Sequence, residues 1–177
     1  MNFPDRKTSE TLLKTYIKNE ALLHHCFMVA KAMEAYAKAL DQDLELWYAT
    51  GLLHDLDWEQ FPDEHPMKAV KDFFADYPAE MKQAILAHAP GRTNVKAENL
   101  LDKYLFACDE LSGLMHAVSL MRPNGFADMQ VKSVKKKIKD KSFAANVSRE
   151  DILLGFELIA KNPDEHIQFL INVFAKV

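Results

Sequence analysis

Hydrophobic residues recur along this chain at intervals of three and four positions, the spacing that places them on one face of a helix. The segment 20–40 shows this most clearly, because Leu22, Val29, Met33 and Tyr36 fall in phase. Alternation with a period of two, which would predict a strand, holds for only a few residues at a time. The pattern therefore predicts an all-α protein.

Capping residues and prolines divide this pattern into separate helices. The segment 8–10 offers N-cap chemistry for the first helix, Asn19 caps the second, and Pro163 stands at the favoured first position of the last. Residues 58–66 are predicted to form a loop, and Pro90-Gly91 to stop a helix. The predicted helices span residues 10–18, 20–40, 44–57, 67–76, 78–88, 97–121, 148–161 and 163 to the C-terminal region.

The length and composition favour one domain over residues 1–177. A chain of 177 residues can bury a sizeable core, and its 49% hydrophobic and 27% charged residues are ordinary for a globular protein. Only five glycines are present, which favours long helices over many tight turns. We therefore expect a single helical bundle.

Several features bear on location and partners. No apolar run approaches the roughly 18 residues of a membrane span, and the polar N-terminus lacks a signal peptide. Cys26 and Cys108 lie in apolar helical pattern and are expected to be reduced thiols. These observations together predict a cytoplasmic protein with no membrane partner, and they do not indicate an oligomeric state.

The charge pattern contains one strong run, six lysines between residues 132 and 141. Such a run can bind nucleic acid or another anionic partner, or it can be the solvated face of a helix. No aromatic residue interleaves with these lysines, and the formal net charge of the chain is −4. We favour a solvated face and expect no nucleic-acid partner.

The candidate chemistry lies in histidines and aspartates on or beside apolar segments. The doublet His54-Asp55 closes the apolar run 49–53. Four other residues complete an ordered set of six with this doublet: His25, His54, Asp55, His65, His88 and Asp109. A single histidine on an apolar face is more often a hydrogen-bonded core residue. Burying six such groups is costly without partners, and a divalent metal is a partner for all of them.

This order of residues resembles the HD superfamily of metal-dependent phosphohydrolases, in its two-metal form. The segment 51–55 matches the central signature of that family, and the similarity extends over about residues 20–120. It implies an HD-type helical bundle, with the C-terminal helices of 128–177 packed on it. It also implies a first metal held by His25, His54, Asp55 and Asp109, and a second held by Asp55, His65 and His88.

The resemblance implies a hydrolase that acts on a small phosphate ester or a nucleotide through a metal-activated water. Asp55 and Asp109 would be the catalytic carboxylates, and one or two ions of iron, manganese, nickel, cobalt or zinc the cofactor. Two alternatives stay open. Some proteins of this fold are di-iron oxygenases with the same ligands, and a regulatory domain can bind a nucleotide without turnover.

Three residues are candidate substrate contacts. Arg92 follows His88 in a short loop and can bind a phosphate. Lys68 lies one turn beyond His65, and His116 two turns beyond Asp109. Each of the three residues has an ordinary structural or solvated role as its alternative.

Two further choices concern neighbours of the predicted ligands. His25 is preferred to His24 because it falls in phase with the apolar positions of its helix. Asp57 and Glu59 follow the doublet where many HD proteins carry a glycine and a lysine, which puts any role of that lysine in doubt. These two carboxylates can assist the site, but we favour solvated charges at a helix end.

Overall fold

The structure is a computed structural model that describes residues 3–176, and within them every regular element is a helix. Met1, Asn2 and Val177, the ends of the predicted domain, lie outside the described residues. The α-helices are α1 (Arg6–Tyr16), α2 (Glu20–Ala39), α3 (Leu44–Leu53), α4 (Ala79–Ala87), α5 (Pro90–Thr93), α6 (Leu100–Ser119), α7 (Val131–Lys139), α8 (Arg149–Leu158) and α9 (Pro163–Phe174). The all-α prediction is confirmed. Among the described helices, none has the length and apolar character to cross a membrane.

The N-termini of the helices follow from their capping residues. Asn19, Ser148 and Asn162 accept backbone N–H groups in the first turns of α2, α8 and α9. The predicted start of the first helix is wrong, because Asp5 caps α1 by accepting the N–H of Thr8 at 2.8 Å. The helix therefore begins four residues earlier than the sequence pattern indicated.

The middle of the chain departs most from the predicted elements. Helix α3 ends at Leu53, with His54 as its C-cap, and does not continue to residue 57. In place of the predicted helix 67–76, the chain forms a π-helical segment over Ala69–Phe73. The predicted stop at Pro90-Gly91 is instead the start of the short helix α5, because proline is well tolerated at the first helical position.

Helix α2 runs through the core with α3 and α6 packed against it. Gly51 allows the close approach of α3, since a Cβ added there would lie 3.0 Å from the carbonyl oxygen of Val29 on α2. Gly155 plays the same part between α8 and α6, where an added Cβ would lie 2.8 Å from the Cα of Ala107. Helix α9 packs on α2. The C-terminal helices thus lie against the two helices that present the first and last predicted ligands.

Candidate metal centre

All six predicted metal ligands meet at one place in the structure. They come from α2, the C-terminal end of α3, the loop before the π-helical segment, the end of α4, and α6. In this order the residues are His25, then His54 and Asp55, then His65, His88 and Asp109. Their ligand atoms form two groups of three, in each of which all atoms lie within 4.8 Å of one another.

The first trio consists of His25, His54 and Asp109. The Nε2 atoms of His25 and His54 lie 3.0 and 3.4 Å from Oδ1 of Asp109. Its members stand on α2, at the end of α3 and on α6, so the packing of these helices sets its geometry. His24 does not take part, as the apolar phase of α2 predicted.

The second trio consists of Asp55, His65 and His88. The Nε2 atoms of the two histidines lie 3.2 Å apart, and they are 3.5 and 3.6 Å from Oδ1 of Asp55. His65 precedes the π-helical segment and His88 is the C-cap of α4. Less regular backbone therefore positions this trio.

Asp55 stands between the two trios and divides its oxygens between them. Its Oδ1 faces His65 and His88, whereas its Oδ2 lies 3.4 Å from Nε2 of His54 and 3.9 Å from Nε2 of His25. A carboxylate with one oxygen directed at each of two ligand groups has the arrangement that bridges two cations.

Hydrogen bonds on the far side of three rings fix which nitrogen faces the cluster. Nδ1–H of His54 donates to the Gly51 carbonyl at 2.8 Å, and Nδ1–H of His88 donates to the Ile85 carbonyl. Nδ1–H of His65 donates to a carboxylate at 2.6 Å. Because these partners only accept, Nδ1 of each ring carries a proton and Nε2 is the nitrogen that faces the cluster.

The residues fit a bound transition metal. Nε2 of His54 is fully buried and makes no hydrogen bond to any of residues 3–176. An unpaired polar atom in the interior is costly, and a cation at this position would be its partner. Imidazole with carboxylate is also the mixture of ligands that iron, manganese, nickel, cobalt or zinc accept.

The charges in the cluster support one another. Burial disfavours the charged imidazolium of His54, but Asp55 and Asp109 outweigh it and raise the pKa of His54 to about 9. Burial likewise opposes the charge of the two aspartates, yet His54 beside them lowers the pKa of both carboxyls below the usual range. Without metal, a proton on His54 thus compensates the carboxylates that a cation would bind.

A cleft of about 440 Å³ opens over the two trios. Its lining includes Arg92 and Trp58, whose ring centroid lies 4.9 Å from that of His65. It also includes Glu110, which follows the ligand Asp109, together with Val147 and Asp151. The cleft therefore has an aromatic and a cationic residue near the second trio and a carboxyl group near the first.

The surroundings of two cleft residues, Arg92 and Glu110, fix the position of the first and change the pKa of the second. The Arg92 guanidinium lies 5.0 Å over the Trp58 ring, and its Nη1 donates to the Pro62 carbonyl at 2.6 Å. Burial, with Asp109 adding to it, raises the pKa of Glu110 to about 7.

Of the three predicted substrate contacts, Arg92 is the one that lines the cleft.

Lys68 and His116 lie elsewhere. The Lys68 ammonium pairs with Asp72 at 2.7 Å and does not line the cleft. The ring of His116 packs edge-on against that of His24, with 4.3 Å between centroids, and both line a separate cavity. The structure therefore places neither Lys68 nor His116 beside the two trios.

Sequence reasoning missed the role of Asp57. This carboxylate is fully buried, accepts the Nδ1–H of His65, and is not the solvated charge that we favoured. The preference was wrong because the partners of Asp57 come from the chain beyond the loop, which local pattern does not reveal. Glu59 is exposed and accepts the N–H groups of Lys18 and Asn19 at the start of α2.

Comparison with known proteins gives one finding of relationship. The family model described as HD domain matches residues 22–114, just over half of the chain and all six residues of the two trios. The chain matches no curated protein and no solved structure at a significant level.

Proposed function

The chain belongs to the HD-domain family, and we propose that it is a phosphohydrolase that uses two cations to cleave a small phosphate ester or a nucleotide. HD domains bind divalent metals and are typically metal-dependent phosphohydrolases. The observation that carries the proposal is Asp55, whose two oxygens are directed at two separate groups of ligands. A site for a single cation would need neither His65 nor His88.

The first trio together with Asp55 would hold one cation, and the second trio, which contains Asp55, would hold the other. The first trio and Oδ2 of Asp55 supply two imidazoles and two carboxylates, and His65 and His88 with Oδ1 of Asp55 supply the second set. Bound divalent cations activate a water molecule and neutralise the charge that develops on a phosphate during attack. The Nδ1–H bonds of His54, His65 and His88 would hold their Nε2 atoms in the orientation that a bound cation requires.

Arg92 is the residue that we assign to the substrate phosphate. A guanidinium has five N–H donors, and the bond to Pro62 uses only Nη1. Its remaining donors can bind phosphate oxygens in a charge-assisted pair. Trp58 lies under the guanidinium and packs edge-on against the ring of His65, so a phosphate bound by Arg92 would be held near the second trio.

The size of the cleft limits the substrate. Its volume of about 440 Å³ is at the lower end of the range of small-molecule sites, roughly 300–1,000 Å³. A phosphomonoester or a mononucleotide fits this volume, whereas a polymer would have to remain largely outside. We therefore propose a small phosphorylated molecule as the substrate.

Metal analysis and a substrate screen test the proposal. The protein, purified without added metal and then loaded separately with manganese, cobalt, nickel, zinc or ferrous iron, is incubated with a panel of phosphate esters and nucleotides. We expect phosphate release that requires metal and stops with a chelator. Oxygen uptake by the iron-loaded protein without phosphate release would instead indicate an oxygenase. Nucleotide binding without either reaction would indicate a regulatory domain.

A further inference from the structure

Asp57 follows the ligand Asp55 by two residues and joins two parts of the segment that carries His65. Its Oδ1 accepts the Nδ1–H of His65 at 2.6 Å, and its Oδ2 accepts the backbone N–H of Ala69 at 2.7 Å. Asp57 and His65 are both buried, so water does not compete with these bonds. One carboxylate thus fixes a side chain and a backbone group four residues apart.

The bond to Ala69 replaces a bond of the regular helix. In an α-helix this N–H would donate to the carbonyl four residues earlier, that of His65. Here it donates to Asp57, and the π-helical segment begins at the same residue. Such segments occur frequently at functional sites, because they reposition side chains that a regular helix would direct elsewhere.

We propose that Asp57 is a positioning residue that sets the affinity of the second trio for its cation. Its negative charge holds the proton of His65 on Nδ1 and makes Nε2 a stronger ligand, as carboxylates behind metal-bound histidines do. Its bond to Ala69 holds the segment so that Nε2 of His65 lies 3.2 Å from that of His88. The hydrogen-bond partners of Asp57 are His65 and Ala69, in the segment that carries the second trio. We therefore expect Asp57 to affect the cation of the second trio and not that of the first.

Asp57→Asn is the informative variant. Both partners of Asp57 donate, and an amide of the same shape has only one accepting oxygen. Either His65 or Ala69 then faces an amide N–H. Asp102 offers a matched control, since it is also fully buried and its Oδ2 accepts two backbone N–H groups, those of Glu98 and Asn99.

The experiment is a titration of the metal-free protein with Co²⁺, followed by calorimetry and visible absorption, for the wild type, Asp57→Asn and Asp102→Asn. We expect two binding steps in the wild type. Asp57→Asn should weaken one step by about 10- to 100-fold and leave the other unchanged. Asp102→Asn should lower the melting temperature without changing either step.

Several outcomes would overturn the inference, which rests on the two-cation centre of the proposed function. If Asp57→Asn left both binding steps unchanged, or weakened both steps equally, the role of Asp57 would be overturned while the two-cation centre remained. A single step in the wild type would overturn the two-cation proposal as well. The tautomer gives a test that needs no variant: ¹⁵N NMR of the metal-free wild type at pH 8.5 should show His65 protonated on Nδ1, and a proton on Nε2 alone would contradict the assignment.

Discussion

The metal centre and the packed interface of α2, α6 and α9 each bury a histidine completely, and the two are held in opposite ways. His166 on α9 uses both nitrogens within the protein: Nε2–H donates to the Ala107 carbonyl at 3.1 Å, and Nδ1 accepts the hydroxyl of Tyr36. His54 uses only Nδ1, toward Gly51, and its Nε2 makes no hydrogen bond within residues 3–176.

The charges around the two histidines also differ, and they shift the two pKa values in opposite directions. Burial lowers the pKa of His166 to about 4, with the positive charge of Lys161 adding to it, so the ring stays uncharged at neutral pH. At His54 two carboxylates overcome burial and raise the pKa to about 9. Burial therefore does not distinguish a structural histidine from a ligand. The distinction lies in whether the second nitrogen has a partner and whether anionic groups converge on it.

The largest expected effect comes from removing Asp55, the member of the second trio that also directs an oxygen at the first. Asp55→Ala should lose both cations and reduce phosphate release by more than about 100-fold, because Asp55 directs one oxygen at each trio. Elemental analysis measures the metal content, and a phosphate-release assay measures the activity. Asp63→Ala, an exposed aspartate in the loop after the doublet, should keep both properties. Equal metal content in the two variants would contradict the bridging role.

Removing the two histidines of the second trio should abolish binding of one cation and leave the other bound. His65→Ala with His88→Ala should lower the bound metal to about half and strongly weaken hydrolysis, since the first trio and Asp55 remain. The matched control replaces His24 and His116, two histidines outside the cluster. A double variant with full metal content and normal turnover would leave a mononuclear enzyme.

The histidine of the other region should control stability and not metal content. The unfolded chain protonates His166 near its usual pKa of 6.5, and the folded protein only near 4. The contribution of His166 to the free energy of unfolding is therefore fully present above pH 6.5. It decreases by about 3 kcal/mol as the pH falls to 4. Urea denaturation at several pH values measures it for the wild type and His166→Gln. The variant should show a flatter dependence with unchanged metal content, and parallel curves would contradict this account.

The smallest expected effect concerns the wall of the cleft. Arg92→Ala should raise KM for the phosphate ester by about tenfold, because a charge-assisted bond to the phosphate is lost, and should leave metal content unchanged. Steady-state kinetics on the best substrate of the screen provide the test. Lys68→Ala, whose ammonium pairs with Asp72, serves as the control. Identical KM values for Arg92→Ala and the wild type would remove Arg92 from the substrate site.

The sequence predicted the parts of the site that local pattern governs. His25 was distinguished from His24 by the apolar phase of α2, and His54-Asp55 stood out because a polar doublet closes an apolar helix. The assembly of six ligands from distant segments rested on family resemblance, since spacing alone does not reveal that α2, α4 and α6 converge. The single-domain assignment and the roles of the catalytic and substrate residues stay predictions.

Other features depended on contacts that the sequence pattern does not encode. Asp57 is a buried acceptor only because the chain returns after residue 65 and presents Ala69 to it. The same return replaces a predicted helix by the π-helical segment. His166 was not singled out, because the hydroxyl and carbonyl that satisfy it come from α2 and α6, far away in sequence. Tertiary partners thus decided these positions.

The unpaired Nε2 of His54 also links the lifetime of the protein in a cell to metal supply. A cation that binds the folded chain but not the unfolded one adds folding free energy, about 2.7 kcal/mol at a concentration one hundred times its Kd. Cells starved of the metal would hold a larger unfolded fraction, which proteases degrade, and differences of this size change abundance several-fold. We therefore expect the amount of this protein, and not only its activity, to follow the availability of its metal.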